Sequence, residues 1–190
     1  MVTAIELAKH LVWLAGQEDE PVGLTPMQVQ KLLYYVQGWS LALCGKPAFS
    51  EHFEAWRLGP VVSEVYRSFS GRGPIPLEFG SEAELGLDEA FLVRAVWEAY
   101  KKYSAIGLSE KTHAEGPWRD ARVGLEPQAA SDREISLDSL RAYFESQLGK
   151  SEDFCLQAMP AWSRHPDKRF VQAAQTVMAR RQAVLHRLAQ

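Results

Sequence analysis

The sequence predicts a mainly α-helical fold. The expected form is a compact multi-helix domain around a central buried helix, with at most a minimal β element and a C-terminal helical extension. Three observations point there. Helix-start signals recur along the chain, with Thr3 and Glu6 spaced as one capping box and Thr25 and Gln28 as another. Apolar residues follow helical spacing behind each of them. The stretch LTPMQVQKLLYYVQGWSLALCG, residues 24–45, is apolar on nearly every side, as a helix enclosed by others must be.

The elements follow in order. Ile5, Leu7, Leu11, Val12 and Leu14 place a first helix after Thr3, and Gly16 ends it. Thr25 caps the central helix, Pro26 takes its first position and Gly45 closes it, giving Pro26 to Cys44. In residues 49–59, Phe53, Ala55 and Arg57 alternate with Glu54, Trp56 and Leu58, so a short strand is expected. Gly59-Pro60 reads as the start of a helix, VVSEVYRSFS, that ends at Gly71. Residues 71–87 are rich in Gly and Pro and read as a loop. Asp88 caps EAFLVRAVWEAYKKY, Ser104 caps a helix from Ala105 towards His113, and Gly116-Pro117 starts PWRDAR. Residues 123–134 are a second loop, after which Ser136 caps LDSLRAYFESQL and Gly149 stops it. Pro160 and Pro166 divide the remainder into a short segment and a long helix, about Asp167 to Ala189. Two units are expected, a domain over residues 1–149 and an extension over 150–190.

Charge is unevenly spread. From Arg164 to Gln190 there are six Lys or Arg and one Asp, which leaves 15 basic and 23 acidic residues for the rest. An acidic body thus carries a basic helix, on which Arg169, Arg180 and Arg187 stack near one line. That helix either meets nucleic-acid phosphates or folds back on the acidic body and presents a solvated face; the second reading is preferred. Nothing in the chain is apolar for long enough to span a bilayer, and the N-terminal run has no basic leader, so no membrane association and a cytoplasmic location are expected. Cys44 and Cys155 stand far apart with no CxxC, which fits packed thiols in a reducing compartment.

Catalytic patterns are missing. His113-Ala114-Glu115 matches the H-x-E half of a zinc deaminase signature, but the P-C-x-x-C half is absent. The sequence holds no HExxH, GxSxG, Walker loop or GxGxxG. No enzyme activity, cofactor or metal is expected, and His113 reads as a partly buried histidine near a helix end.

Three blocks carry a family resemblance: LTPMQVQKLLYYVQGWSLALCGKPAF, FEAWRLGPVVSEVYRSFSGRG and YSAIGLSEKTHAEGPWRDAR, in that order. Together they resemble the Panacea domain, the SocA/GepA-like antitoxins of bacterial and phage toxin–antitoxin pairs. The resemblance implies a non-enzymatic helical domain that binds a cognate toxin protein. Delivery of that partner to a protease is compatible with it, and so is nucleic-acid binding through an added segment.

Within those blocks Lys31 is the anomaly, a cation in the middle of the apolar helix. An unpaired buried ammonium is costly, so a carboxylate partner is expected, Glu54 by preference; the alternative is that Lys31 snorkels to water. Tyr35 is read as a buried ring with a polar tip. Gln37, Trp56, Arg57 and Tyr66 are either core structure or an exposed binding patch, since Trp, Tyr and Arg carry much of the energy at interfaces. Trp118 is either a core plug or an anchor. In the extension, Arg169, Arg180 and Arg187 form a candidate basic contact face for an acidic toxin surface.

Overall fold

The computed structural model describes residues 2–69, 71, 73–150 and 168–190, apart from the side chains of Arg169 and Phe170. Expectations for the short segment before Pro166, for Cys155 and for the Arg169 side chain lie outside the described residues.

The central helix, α2 (Pro26–Cys44), organises the chain. It begins as its sequence dictates: Thr25 Oγ1 accepts from Gln28 N at 3.2 Å, and Gln28 Oε1 accepts from Thr25 N at 3.0 Å. Gly45, at φ +69°, turns the chain away at its end. Every residue from Val29 to Leu43 is buried. Around it pack α1 (Ala4–Gly16), α4 (Leu87–Tyr100), α5 (Ala105–Ala114) and α7 (Leu137–Gln147). The shorter α3 (Ser63–Phe69) and α6 (Gly116–Ala121) complete the body, and α8 (Lys168–Leu188) lies across α2 and α4. No described helix is long and apolar enough to cross a membrane.

The core is aromatic at its centre. Tyr35 stacks on Tyr100 with ring centroids 3.8 Å apart, and Phe144 of α7 meets Tyr34, Tyr35 and Trp39 edge-on at 5.6, 6.1 and 5.0 Å. Gly38 lets Phe144 come so close, since a Cβ there would lie 2.2 Å from the ring. Ala173, Ala174 and Val177 of α8 join this core, so the apolar stripe of the basic helix faces the body.

A small antiparallel sheet packs against α2 around Lys31 and Tyr34, in the order β2-β1-β3, with β1 at Phe53–Trp56, β2 at Gly59–Val61 and β3 at Glu134–Ile135. Trp56 pairs with Gly59 and Phe53 with Ile135. The β element is therefore larger than the single strand expected. Gly59-Pro60 opens β2 rather than a helix, and α3 starts only at Ser63. β3 falls at the end of the segment read as loop, and Leu77–Phe79 adds a 3-10 turn to the other loop. Helix α4 begins at Leu87, one turn-position before the expected cap, with Gly86 N donating to Glu89 Oε2 at 3.2 Å.

Polar side chains of α2 explain where the sheet lies. Gln37 Nε2 donates to Phe49 O at 3.1 Å and its Oε1 accepts from Ala48 N at 2.8 Å. Gln30 makes the same paired contact with Val62, at 3.1 and 2.8 Å. Ser40 Oγ donates to Lys46 O at 2.8 Å. Buried backbone needs partners, and here helix side chains supply them to residues 46–62.

Candidate functional site

Lys31 lies on α2 between those two glutamines, 1% exposed. Its Nζ donates to Pro60 O at 2.9 Å, and no carboxylate of the described residues pairs with it. The expected pairing with Glu54 is therefore incorrect. Glu54 Oε2 instead accepts from Trp56 Nε1 at 2.6 Å. Snorkelling is incorrect as well, because the lysine does not reach solvent. The fold answers the burial cost differently: desolvation lowers the Lys31 pKa to about 7, so the amine sits near neutrality and offers its hydrogen to a carbonyl.

That carbonyl belongs to β2, and three elements hold the β1–β2 hairpin from beneath. Lys31 of α2 takes Pro60 O, Ser109 Oγ of α5 donates to Leu58 O at 3.1 Å, and Trp118 Nε1 of α6 donates to Trp56 O at 2.8 Å. The backbone reversal falls on Gly59 at φ +102°, where a Cβ would meet Lys31 Cε and Nζ at 2.7 Å and Thr112 Oγ1 at 2.9 Å. A Gly59→Ala chain is expected to lose about 1–3 kcal/mol of stability from backbone strain and the displaced lysine. Urea unfolding checks this, and an unchanged midpoint would show that the turn is not pinned.

With its backbone held, the turn presents its side chains outward. Arg57 is exposed and donates to Gln128 Oε1 at 2.9 Å. Leu58 is 45% exposed and Tyr66, on α3, 41%. The Trp56 and Tyr66 rings meet edge to face at 4.8 Å. Trp56 and Arg57 form a ridge between two hollows. One, of about 380 Å³, is also lined by Met27, Lys31, Leu58, Val61 and Tyr66. The other, of about 520 Å³, is lined by Glu54, Gln128 and Asp132.

The remaining candidates are placed inside. Tyr35 OH donates to Glu115 Oε1 at 3.1 Å, and burial together with that carboxylate pushes the Tyr35 phenol well above its ordinary value. Gln37 is fully buried and templates the segment before β1. His113 stacks on Trp118 with centroids 4.0 Å apart, and burial, with Lys31 and Arg122 nearby, lowers its pKa. Arg122 lies 5.2 Å over the Trp118 ring and donates to Ala55 O at 2.8 Å. The HAEGPW string is thus a clasp between α5, α6 and the sheet. No group of three or more His, Cys, Asp or Glu among the described residues could hold a metal.

The basic helix spends its charge on the body. Arg180 Nη1 lies 2.8 Å from Asp88 Oδ2, and Arg187 Nη2 lies 2.7 Å from Glu145 Oε1. Arg180 also donates to Cys44 Sγ at 3.8 Å. Sequence reasoning overlooked Leu58, Ser109 and Arg122. Leu58 had a signal, an apolar residue just before a glycine in a tight turn, where side chains point outward. Ser109 and Arg122 had none, because their partners are backbone oxygens brought near only by the fold.

Residues 29–119, just under half the chain, match the family model described as antitoxin SocA-like, Panacea domain. The chain is 41% identical over 73 residues to a protein named antitoxin SocA from Caulobacter vibrioides (strain NA1000 / CB15N). That stretch is 38% of this chain and 38% of the relative, so the similarity spans well under half the length of the curated relative. No solved structure matches the chain. The resemblance read from the three blocks holds. The matched span runs from the buried core of α2 to α6 and takes in Lys31, Trp56, Arg57, Tyr66 and Trp118; α7 and α8 lie outside it.

Proposed function

We propose that this chain is an antitoxin that binds a cognate protein toxin by direct contact and covers a surface the toxin needs. The observation that carries this reading is the similarity to antitoxin SocA and to the SocA-like Panacea domain, whose family-model match takes in the residues that build and present the β1–β2 turn. The body through residue 149 is the binding unit, and α8 is strapped to it by Arg180 and Arg187.

The turn face is the contact surface. It combines the residue types that carry binding energy, Trp56, Arg57 and Tyr66, with an exposed Leu58 and two hollows for partner side chains. A standard interface of about 1,600 Å² in total, centred on this ridge, is enough for tight binding. The chemistry required is occlusion alone, and no catalytic group takes part.

A growth test decides the reading. Each reading frame beside the native gene is expressed with and without this chain. One neighbour is expected to stop growth, and co-expression to restore it. Absence of any toxic neighbour, or toxicity that this chain does not relieve, overturns the reading. Arg57→Glu is expected to weaken rescue strongly while shifting stability by no more than about 0.5 kcal/mol, as exposed substitutions do. Rescue and thermal unfolding of the same variant check the two halves of that statement.

A further inference from the structure

We propose that Arg122 and Gln128 are positioning residues for partner binding: Arg122 fixes the loop of residues 126–129 against β1, and Gln128 on that loop holds Arg57 in the pose it presents to the toxin. This rests on the reading that the chain is an antitoxin whose contact surface is the turn face.

Arg122 builds the support. It follows α6 and is buried, 6% exposed. Its Nη1 donates to Ala55 O of β1 at 2.8 Å and its Nη2 to Ala129 O at 2.8 Å, with Glu126 O and Pro127 O further out at 3.4 Å. One guanidinium thus ties β1 to three carbonyls of the loop between α6 and β3. A planar fork of donors makes such bonds at once, whereas a lysine offers a single point charge. All four acceptors are neutral, and an apolar side chain would serve as well for packing alone. What the arginine adds is a fixed distance between two segments remote in sequence.

That distance is set beside Arg57 and Gln128. Ala55 stands two residues before Arg57, and Ala129 directly follows Gln128. Arg57 Nη1 donates to Gln128 Oε1 at 2.9 Å, and both side chains line the hollow of about 520 Å³. Both are exposed, and a bond between exposed groups competes with water. Fixing the two backbones from beneath keeps its ends in reach of each other. The acceptor is an amide. Glu54 and Asp132 line the same hollow, yet among the described residues neither forms an ion pair with Arg57. Gln128 therefore orients the guanidinium without neutralising it and leaves its other donors for the partner.

The gain for binding is entropic. Arginine is long and rich in rotamers, and ordering such a side chain at an interface opposes association. A guanidinium already held in the free chain avoids that cost, which is worth roughly two- to tenfold in affinity for one side chain.

The test uses the full chain and two readouts. Order of the Arg57 side chain is read in the free chain by NMR relaxation of its Nε–Hε group. Affinity is read by calorimetric titration against the neighbour-encoded protein that this chain rescues. Gln128→Ala, an exposed change, is expected to leave the unfolding midpoint unchanged, to free the Arg57 side chain and to weaken binding roughly two- to tenfold. Arg122→Lys is expected to have the same effects on order and affinity, with a lower midpoint. In an Arg57→Ala background neither substitution is expected to weaken binding further, whereas a merely structural role would weaken both backgrounds alike. An Arg57 group as mobile in wild type as in Gln128→Ala, an unchanged affinity, or equal losses in the two backgrounds overturns the proposal. Growth rescue keeps the two readings apart. Rescue without these effects overturns the positioning role alone, and failure of rescue overturns the antitoxin reading whatever the order of Arg57.

Discussion

Replacing Lys31 by methionine is expected to stabilise the fold at pH 7 by about 2–3 kcal/mol. The lysine pKa falls from 10.5 to about 7 on burial. At 1.36 kcal/mol per unit, burial costs at most about 5 kcal/mol at neutral pH. Methionine fills similar space without a charge and gives up the bond to Pro60 O, worth about 1 kcal/mol. The sign with pH follows from the direction of the shift. The folded pKa lies below the unfolded one, so the unfolded chain binds the proton more readily. The penalty is fully present below about pH 7 and relieved as pH climbs towards 10.5. Urea unfolding of both chains from pH 6 to pH 10 should show the advantage of methionine shrinking steadily above pH 7. A difference that stays constant with pH would mean the buried amine titrates normally.

The second large effect is expected at the heart of the core. Gly38→Val should cost on the order of 3 kcal/mol, because a Cβ there would stand 2.2, 2.3 and 2.6 Å from three atoms of the Phe144 ring. Helix propensity slightly favours valine and cannot offset such a clash. The ring cannot simply move aside, since Tyr34, Tyr35, Trp39 and Tyr143 hold it on several sides. As a comparison, Gly73→Ala meets nothing within 4 Å and should stay within about 0.5 kcal/mol. Denaturation midpoints of the two variants check the contrast. Equal midpoints would mean that α7 does not pack on α2 through Gly38.

The helices were legible because their ends are written locally. The two capping boxes at Thr3 and Thr25, and the caps at Ser104 and Ser136, form as their spacing implies. The sheet was less legible for a physical reason. Gly-Pro is a good helix start, and the same pair serves at residues 59–60 to turn a hairpin. What selects the hairpin is remote: Gln30, Lys31 and Ser109 hold the backbone of residues 58–62. β3 is two residues long and exists through pairing with β1, so no local pattern announces it.

The candidate residues divide the same way. Their chemical types singled out Trp56, Arg57 and Tyr66, but only the fold separates them from Tyr35 and Gln37, which are buried. The expectation for Lys31 failed because it assumed that a buried lysine stays charged. Burial can neutralise the amine instead, and a carbonyl then suffices as partner. The line of arginines on α8 was visible from spacing, and its described members, Arg180 and Arg187, meet Asp88 and Glu145. Those acceptors lie 92 and 42 residues away along the chain, beyond the reach of a local pattern.

The central claim is that the turn face binds the toxin directly. It is tested most directly by the dissociation constant between this chain and the neighbour-encoded protein that it rescues, measured for wild type and for the double variant Arg57→Glu, Tyr66→Ala. Both residues are exposed, so the variant should remain folded by circular dichroism. Hot-spot side chains contribute about 2 kcal/mol or more each, so the account predicts affinity at least 100-fold weaker for the folded double variant. An unchanged dissociation constant would contradict it and move the binding surface elsewhere on the molecule.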